Sequence, residues 1–285
     1  MTGPATEPHI LATVRRRTMP RTPPPRPGPR RVCGSMPRSS PPTRASTTPA
    51  FLHRSSPIMP DPTPRLLLLR HSAGYEHSYL PDAEVTIKAL AKESSLFKAD
   101  TTHNCQAVNA ESLADLTVLA FATTGELPFD DDQKKAILDF VRRGGGFLGI
   151  HNATDTCYNW PQYGEMIGGW FAGHPWHQQV TVNVEDPNHP ATRMLGRSFQ
   201  VVDEIYTMKN WDRAKTHVLM SLDNGSIDVT KGNRDDHDYA LGWCHDYGKG
   251  RVMYTALGHP DELWYEPWFR QHILGCIKWA AKLES

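Results

Sequence analysis

After the first 64 residues, the hydrophobic positions alternate between short apolar runs and runs with helical spacing. Residues 66–69 (LLLL) and 116–121 (LTVLAF) are continuous runs typical of strands that are buried on both faces. Between them, Ala83 and Ile87 begin an apolar stripe at helical spacing after Pro81, a residue that suits the first turn of a helix. The alternation predicts an α/β fold with a mostly parallel sheet.

The second half of the chain continues this pattern. Asp130 and Gln133 have the spacing of a capping box, and the helix that they begin is expected to end at glycines 144–146. These glycines precede a strand, whereas phosphate-binding loops follow one, so we interpret them as a helix end. Further strands are predicted at residues 147–150, 180–184, 239–244 and 251–255, and a last helix at residues 269–280. An apolar stretch lies at residues 217–222.

The first 64 residues have a different composition from the rest. They hold sixteen of the 24 prolines, ten arginines, no lysine and only two acidic residues, so their net charge is +8 in a chain whose formal net charge is zero. Such a segment has too little apolar surface to offset the entropy of ordering. We therefore predict a disordered tail at residues 1–64 and one domain at residues 65–285.

Three interpretations of the tail remain. Its Arg- and Ser-rich composition is typical of an organelle transit peptide, although its prolines oppose the helix that such peptides form. A working start codon at Met59 is favoured instead. A basic tail that binds RNA or a membrane surface is the third interpretation, and the scarcity of aromatic residues argues against it.

Charge, hydropathy and cysteine usage exclude several classes of protein. The balance of 31 basic and 31 acidic residues argues against a nucleic-acid binder, and no apolar run approaches the ~20 residues of a membrane span. The cysteines form no CxxC pair, which argues against a disulfide framework or a zinc ribbon. We expect a cytoplasmic protein, with organelle targeting by residues 1–58 and a homo-oligomeric state left open.

Histidines follow three of the predicted strands. His77 comes after the first strand, His151 directly after residues 147–150, and His259 after residues 251–255. In open α/β sheets, ligands bind beyond the carboxyl ends of the strands, so these imidazoles are expected at one edge. Imidazole transfers protons near neutral pH and is a common metal ligand. The pattern therefore fits acid–base chemistry, metal chemistry or hydrogen-bonded structural histidines.

Further candidates lie between residues 160 and 206. His174 and His177 would share one face of a helix, but Pro175 predicts a loop there and argues against a metal pair. A short, mostly apolar run over residues 199–202 is followed by Asp203 and Glu204. Glu204 is then either a carboxylate partner at the same edge or one of a solvated pair in a turn.

The predicted architecture is similar to that of class I glutamine amidotransferases, whose nucleophilic cysteine lies in a Gly-x-Cys-x-Gly turn after a strand. The equivalent turn here carries His151 instead. Cys157 lies six residues further along, and Cys244 lies in a predicted strand, so neither has the exposed setting that lowers a thiol pKa. We predict that the protein is not a cysteine-dependent glutaminase.

Seven short segments together resemble the ThuA-like (trehalose utilisation) family, and the resemblance spans about residues 65–283. Each segment is weakly specific alone, but their order and spacing are characteristic. The segments are residues 74–77 (GYEH), 145–151 (GGFLGIH), 173–175 (GHP), 184–190 (VEDPNHP), 203–206 (DEIY), 248–252 (GKGRV) and 257–259 (LGH).

The resemblance implies a three-layer α/β/α fold of the glutamine amidotransferase-like (flavodoxin-like) type without its cysteine, and a role in sugar catabolism. We therefore expect an enzyme, an isomerase, lyase or hydrolase, that acts on a disaccharide such as trehalose or its 3-keto derivative. Acid–base chemistry and metal-assisted chemistry with a divalent ion such as Zn²⁺ both remain open. The alternative is a non-catalytic protein that binds a sugar or a metal. The family's polar cluster would be His77, His151, Asp155, His174, Glu204 and His259.

Each candidate residue has an expected role. His151 and His259 are expected to transfer protons, with Asp155 or Glu204 as the orienting carboxylate, so His151→Ala should abolish turnover. Around the sugar we expect His77, Trp160, Tyr163, His174, Tyr206 and Trp243, although aromatic residues are also ordinary core filler. If a metal binds, the candidate ligands are His77, His151, His174 and His259.

Overall fold

The computed structural model describes residues 63–285. The predictions for the tail, for an organelle signal and for a start at Met59 lie outside the described residues. Every helix within residues 63–285 is too short or too polar to cross a membrane. The α-helices are α1 (Leu80–Ser94), α2 (Ala110–Ala114), α3 (Asp131–Arg143), α4 (Pro161–Ile167) and α5 (Pro267–Ala280).

The strands of the described residues form one mixed sheet in the order β2-β1-β3-β4-β9-β8-β7-β5-β6. Neighbours from β2 to β9 are parallel, and those from β9 to β6 are antiparallel. The strands are β1 (Arg65–Leu69), β2 (Lys98–Thr102), β3 (Val118–Phe121), β4 (Gly146–Ile150), β5 (Trp170–Val184), β6 (Ser198–Lys209), β7 (His217–Leu222), β8 (Ala240–Tyr247) and β9 (Gly250–Thr255).

The α/β class is confirmed, but the expectation of a mostly parallel sheet is wrong, because four of the eight neighbouring pairs are antiparallel. One cause is visible in the sequence. Gly248 and Lys249 alone join β8 to β9, and a connection of two residues can link only antiparallel strands. The three-layer arrangement stays a prediction.

The helix α3 begins and ends where the sequence predicts. Asp130 Oδ1 accepts a hydrogen bond from the Gln133 backbone N–H at 2.7 Å, and the Gln133 side chain accepts one from the Asp130 N–H. Gly144 ends the helix at φ 130°, a left-handed conformation that favours glycine. This helix end leads into β4, whose five residues are all buried.

In β5 one expectation about local structure is wrong, and in β6 the structure decides between two alternatives that the sequence left open. Residues 173–177 belong to β5 rather than to a loop, because a bulge between Gly173 and Trp176 accommodates Pro175 within the strand. The apolar run at residues 199–202 lies in β6, and this strand continues through Asp203 and Glu204, which are buried. The alternative of a solvated pair in a turn is therefore excluded. The polar strand β2 had no apolar signal from which to predict it.

The ribbon formed by β5 and β6 extends beyond the rest of the sheet. Only Val182, Asn183 and Val184 of β5 pair with β7, whereas the pairing of β5 with β6 runs from Trp170 to Asn183. The half of this ribbon that does not pair with β7 contains the bulge and the carboxylates of Asp203 and Glu204. It is therefore free to contact the loops that follow β4 and β9.

We predict that His272 on α5 makes stability depend on pH. Its Nδ1 donates to the Ala191 carbonyl at 2.7 Å, and burial lowers the pKa of His272 to about 4. Below the unfolded pKa of about 6.5, only the unfolded state takes up this proton, so the free energy of unfolding falls as the pH drops toward about 4. His272 should contribute a loss of about 2 kcal/mol between about pH 7 and pH 5.

Urea unfolding at the two pH values measures this contribution. The variant His272→Gln should lose stability less steeply with falling pH than the original chain does. His103→Gln, which removes an exposed imidazole, is the matched control and should leave the pH dependence unchanged. Parallel pH curves for His272→Gln and the original chain would contradict the prediction.

Candidate functional site

A cavity of about 420 Å³ lies where the loops after β1, β4 and β9 meet the β5–β6 ribbon. Several histidines that the sequence placed at strand ends line this cavity or contact its lining. The lining residues are Tyr75, His77, Asp155, Phe171, His174, His177, Glu204, Tyr206 and His259.

His151 follows β4 directly and has a fixed proton. Its backbone has φ 41°, a left-handed conformation that a residue other than glycine rarely adopts and that is often found at functional sites. The ring Nδ1 lies 2.6 Å from the Ala256 carbonyl oxygen, which can only accept, so Nδ1 carries the proton. In the neutral ring, Nε2 therefore keeps a free lone pair toward the cluster.

Glu204 lies among three imidazoles. Its Oε2 is 3.1 Å from His259 Nδ1 and 3.5 Å from His151 Nε2, and its Oε1 is 3.2 Å from His174 Nδ1. Burial opposes ionisation, but the close imidazoles of His151 and His259 outweigh it and hold the pKa of Glu204 well below its ordinary value. The hydrogen bond to Glu204 in turn raises the pKa of His259.

His77 is held neutral by its surroundings. Burial, together with the neighbouring imidazoles of His151 and His259, lowers the pKa of His77 to about 3. The Tyr79 hydroxyl donates to Asn152 Oδ1 at 2.7 Å, and Asn152 Nδ2 donates to His77 Nδ1 at 3.1 Å. The neutral His77 ring therefore carries its proton on Nε2, which is 3.4 Å from the Tyr206 hydroxyl.

Asp203 connects β6 to the loop after β9. Its Oδ1 accepts from the backbone N–H groups of Glu204 and His259 at 2.8 and 3.1 Å, and its Oδ2 accepts from that of Gly258 at 2.9 Å. The side chain is fully buried, and burial raises the pKa of Asp203 above its ordinary value. The sequence interpretation missed this role; an acidic residue that continues an apolar strand was the available signal.

Asp155 lines the same cavity from the loop after β4. Burial raises the pKa of Asp155 above its ordinary value, and this exceeds the opposing effect of the hydrogen bond that Tyr158 donates to Asp155 Oδ1 at 2.6 Å. Asp155 and Glu204 are thus two carboxyl groups of one site whose pKa values are shifted in opposite directions. Such a pair can supply one acid and one base.

The bulge in β5 explains why His174 and His177 both line the cavity. In a regular strand, residues three apart face opposite sides, but the extra residue of a bulge changes this alternation. His174 contacts Glu204, and the His177 ring centroid is 5.2 Å from that of His259. They contact different partners, so the arrangement is not that of a two-histidine metal pair.

Three aromatic residues expected around a sugar belong to the core. The Tyr163 hydroxyl donates to the Ala153 carbonyl, and the Trp243 indole N–H donates to the Ile167 carbonyl. Trp160, Tyr163 and Trp243 are buried and do not line the cavity, so the expectation that they bind sugar is corrected. Two of the aromatic residues that line it, Tyr75 and Phe171, were not singled out from the sequence.

Of the cysteines in residues 63–285, none lines the cavity. Burial raises the pKa of Cys157 and that of Cys244 to about 12, so both thiols stay protonated at neutral pH. Cys33 lies outside the described residues. The chemistry of this site therefore depends on imidazoles and carboxylates.

A protein-family model matches most of the described residues. The model of the ThuA family, described as trehalose utilisation, matches residues 65–280. The chain belongs to the ThuA family. Every cavity residue lies within the matched range. No curated protein sequence matches the chain.

Solved structures similar to this ThuA family member include two ThuA-like proteins. That from Bacteroides uniformis has 23% identity and a TM-score of 0.64, covering 79% of this chain and 94% of its own. That from Parabacteroides merdae has 17% identity and a TM-score of 0.61, covering 77% and 90%. A cytoplasmic protein of Salmonella typhimurium has 13% identity and a TM-score of 0.50, covering 75% and 98%. At these identities the likeness establishes the fold alone.

We predict that Asp203→Asn lowers the free energy of unfolding by about 1–3 kcal/mol, because an amide N–H would face a backbone N–H that is then left without an acceptor. Urea unfolding measures the change. Asp235→Asn, at an exposed position, is the control and should change stability little. Equal stability of the two variants would contradict the role of Asp203 in joining β6 to the His259 loop.

Proposed function

We propose that this ThuA family protein is an enzyme of sugar catabolism that acts on a disaccharide such as trehalose or its 3-keto derivative. The reaction is an isomerisation, an elimination or a hydrolysis, by acid–base or metal-assisted chemistry. One observation carries the proposal: Glu204 with its pKa lowered and Asp155 with its pKa raised line one cavity together with several imidazoles. The family's description, trehalose utilisation, supports the choice of substrate class.

The acid–base route needs one proton donor and one proton acceptor. The carbonyl group of a 3-keto sugar acidifies the adjacent C–H bonds, so an acceptor near that carbon can remove a proton. His151 Nε2, whose lone pair is free in the neutral ring, suits the acceptor role, and His259 beside it can relay the proton. Asp155, with its raised pKa, suits the donor role toward a carbonyl or leaving-group oxygen.

The cavity is suited to a sugar in size and lining. Its volume of about 420 Å³ falls within the ~300–1,000 Å³ of small-molecule sites. Tyr75, Phe171 and Tyr206 supply ring surfaces beside the hydrogen-bonding groups of His174 and His177. Apolar rings next to polar groups complement the C–H faces and hydroxyl edges of a sugar.

The proposal also covers the layer arrangement of the fold and the cellular compartment. We assign the three-layer α/β/α arrangement of the glutamine amidotransferase-like fold, a choice supported by the parallel half of the sheet and the helices that connect its strands. We also assign the activity to the cytoplasm, a choice supported by cysteines that lack disulfide spacing.

Asp155→Asn tests the proton donor. We expect turnover of trehalose or 3-keto-trehalose, followed by NMR detection of products, to fall about 10²–10⁴-fold, because an amide cannot give up a proton. Tyr158→Phe removes a hydrogen bond that lowers the Asp155 pKa, so its rate profile should extend to higher pH. Glu165→Gln, an exposed position outside this cavity, is the control and should leave turnover unchanged.

The outcomes distinguish the functional classes. Product formation that Asp155→Asn abolishes supports the proposal. Unchanged turnover in Asp155→Asn would remove Asp155 from the mechanism. Sugar binding without any product would instead favour a non-catalytic binding protein, and neither binding nor product would contradict both classes.

A further inference from the structure

Three side-chain atoms converge in the cluster at the separations expected of metal ligands. Glu204 Oε2, His151 Nε2 and His259 Nδ1 form a triangle with sides of 3.1, 3.3 and 3.5 Å. Ligand atoms bonded at about 2.0–2.1 Å to a tetrahedral zinc ion lie about 3.3 Å from one another. The triangle thus has the size of one face of a zinc coordination tetrahedron.

When the His151 ring is neutral, the protons available at the triangle do not satisfy all three atoms. His151 Nε2 presents a lone pair, because the proton of the neutral ring is on Nδ1 and bonded to Ala256. A carboxylate oxygen only accepts, and His259 Nδ1 carries at most one proton. One proton can satisfy one pair of these atoms, whereas a cation at the centre satisfies all three.

We propose that His151 Nε2, His259 Nδ1 and the Glu204 carboxylate bind one divalent transition-metal ion of the zinc class, with an open coordination position toward the cavity. The assignment of this ion to sugar chemistry rests on the proposed function, whereas the binding itself rests on the cluster geometry. Two imidazoles and one carboxylate are a donor set that suits Zn²⁺ or Co²⁺ rather than Mg²⁺ or Ca²⁺.

Neighbouring groups orient each of the three ligands. The Ala256 carbonyl fixes the His151 tautomer, and His174 contacts the other carboxylate oxygen of Glu204, Oε1. Asp203 accepts from the backbone N–H groups of Glu204 and His259, so one buried carboxylate positions two ligands. Such outer contacts are typical of metal sites and raise their affinity.

His77 is excluded from the ligand set, although a nitrogen of its ring lies within 4.8 Å of the ligand atoms of the other three residues. Its Nδ1 accepts from Asn152, which leaves the ring proton on Nε2. A protonated nitrogen does not ligate a metal, but it donates a hydrogen bond. His77 therefore stands beside the open position as a donor to a metal-bound oxygen.

A bound ion changes which residues of the cavity transfer protons in the proposed reaction. Once bound to the metal, His151 Nε2 and His259 Nδ1 can no longer accept or donate a proton, so Asp155 takes over proton transfer in the cavity. The open position can hold a hydroxyl or carbonyl oxygen of the sugar and polarise it. This ligand set selects the metal-assisted form of the proposed function over the metal-free form.

Isothermal titration of the chelator-treated full-length chain with Zn²⁺ tests the ligand set. We expect one ion per chain, and at least a 100-fold loss of affinity in His151→Ala and in Glu204→Gln. His259→Ala, at a less buried position, should show the same loss if Glu204→Gln does not fold. His77→Gln should lose clearly less affinity, about tenfold, because His77 lies beside the ion and is not a ligand. His103→Gln, which removes an exposed imidazole, is the matched control and should keep the original affinity.

Each outcome has one meaning for the ligand set. Zn²⁺ binding that survives both His151→Ala and Glu204→Gln would overturn the site, and an equal loss in His77→Gln would overturn the exclusion of His77. Sugar turnover by a chain that binds no Zn²⁺ or Co²⁺ would overturn the inference and leave the proposed function standing. Zn²⁺ bound by the three ligands without turnover of any tested sugar would support the inference while the proposed function fails.

Discussion

The site depends on one buried carboxylate, that of Asp203. It accepts hydrogen bonds from three backbone N–H groups, two of them in the loop after β9. In the sheet, β8, β7 and β5 separate β6 from β9, so these hydrogen bonds join parts of the sheet that strand pairing alone does not bring together. They hold Glu204 and His259 in contact. The imidazoles of His151 and His174 contact the same Glu204 carboxylate.

Much of this arrangement was predictable from the sequence. Continuous apolar runs identified β1, β3 and β4, and the rule that ligands bind beyond strand ends singled out His77, His151 and His259. That rule works because parallel strands end at one edge whatever the details of side-chain packing. The capping box of α3 was equally predictable, since its hydrogen bonds join residues only three apart.

The rest could not be predicted, because it depends on contacts between residues far apart in sequence. Burial of Asp203 is stabilised by N–H groups more than fifty residues away, so its own neighbourhood resembles a solvated turn. Trp160 and Trp243 are residues of the type on which sugar rings stack, but tryptophan is equally common in protein cores, and both side chains are buried here. The bulge that turns His174 and His177 toward one cavity leaves only Pro175 as a local signal.

The fold of this protein does not determine its chemistry, which depends on the side chains that the fold places at the site. The turn after β4 keeps a strained backbone at His151, where the sequence comparison with glutaminases looked for a cysteine. With imidazole in that position, the same turn presents a proton carrier or a metal ligand instead of a nucleophile. Function in this family member therefore has to be inferred from the side chains of the site.

A crystal structure of the chain soaked with trehalose or 3-keto-trehalose tests the central claim most directly. The predicted result is sugar in the cavity of Asp155, His174 and Glu204, with a sugar oxygen within hydrogen-bond distance of Asp155. Sugar bound instead in the separate cavity of about 310 Å³ beside Trp170 and His245 would contradict the claim that the histidine–glutamate cluster is the sugar site.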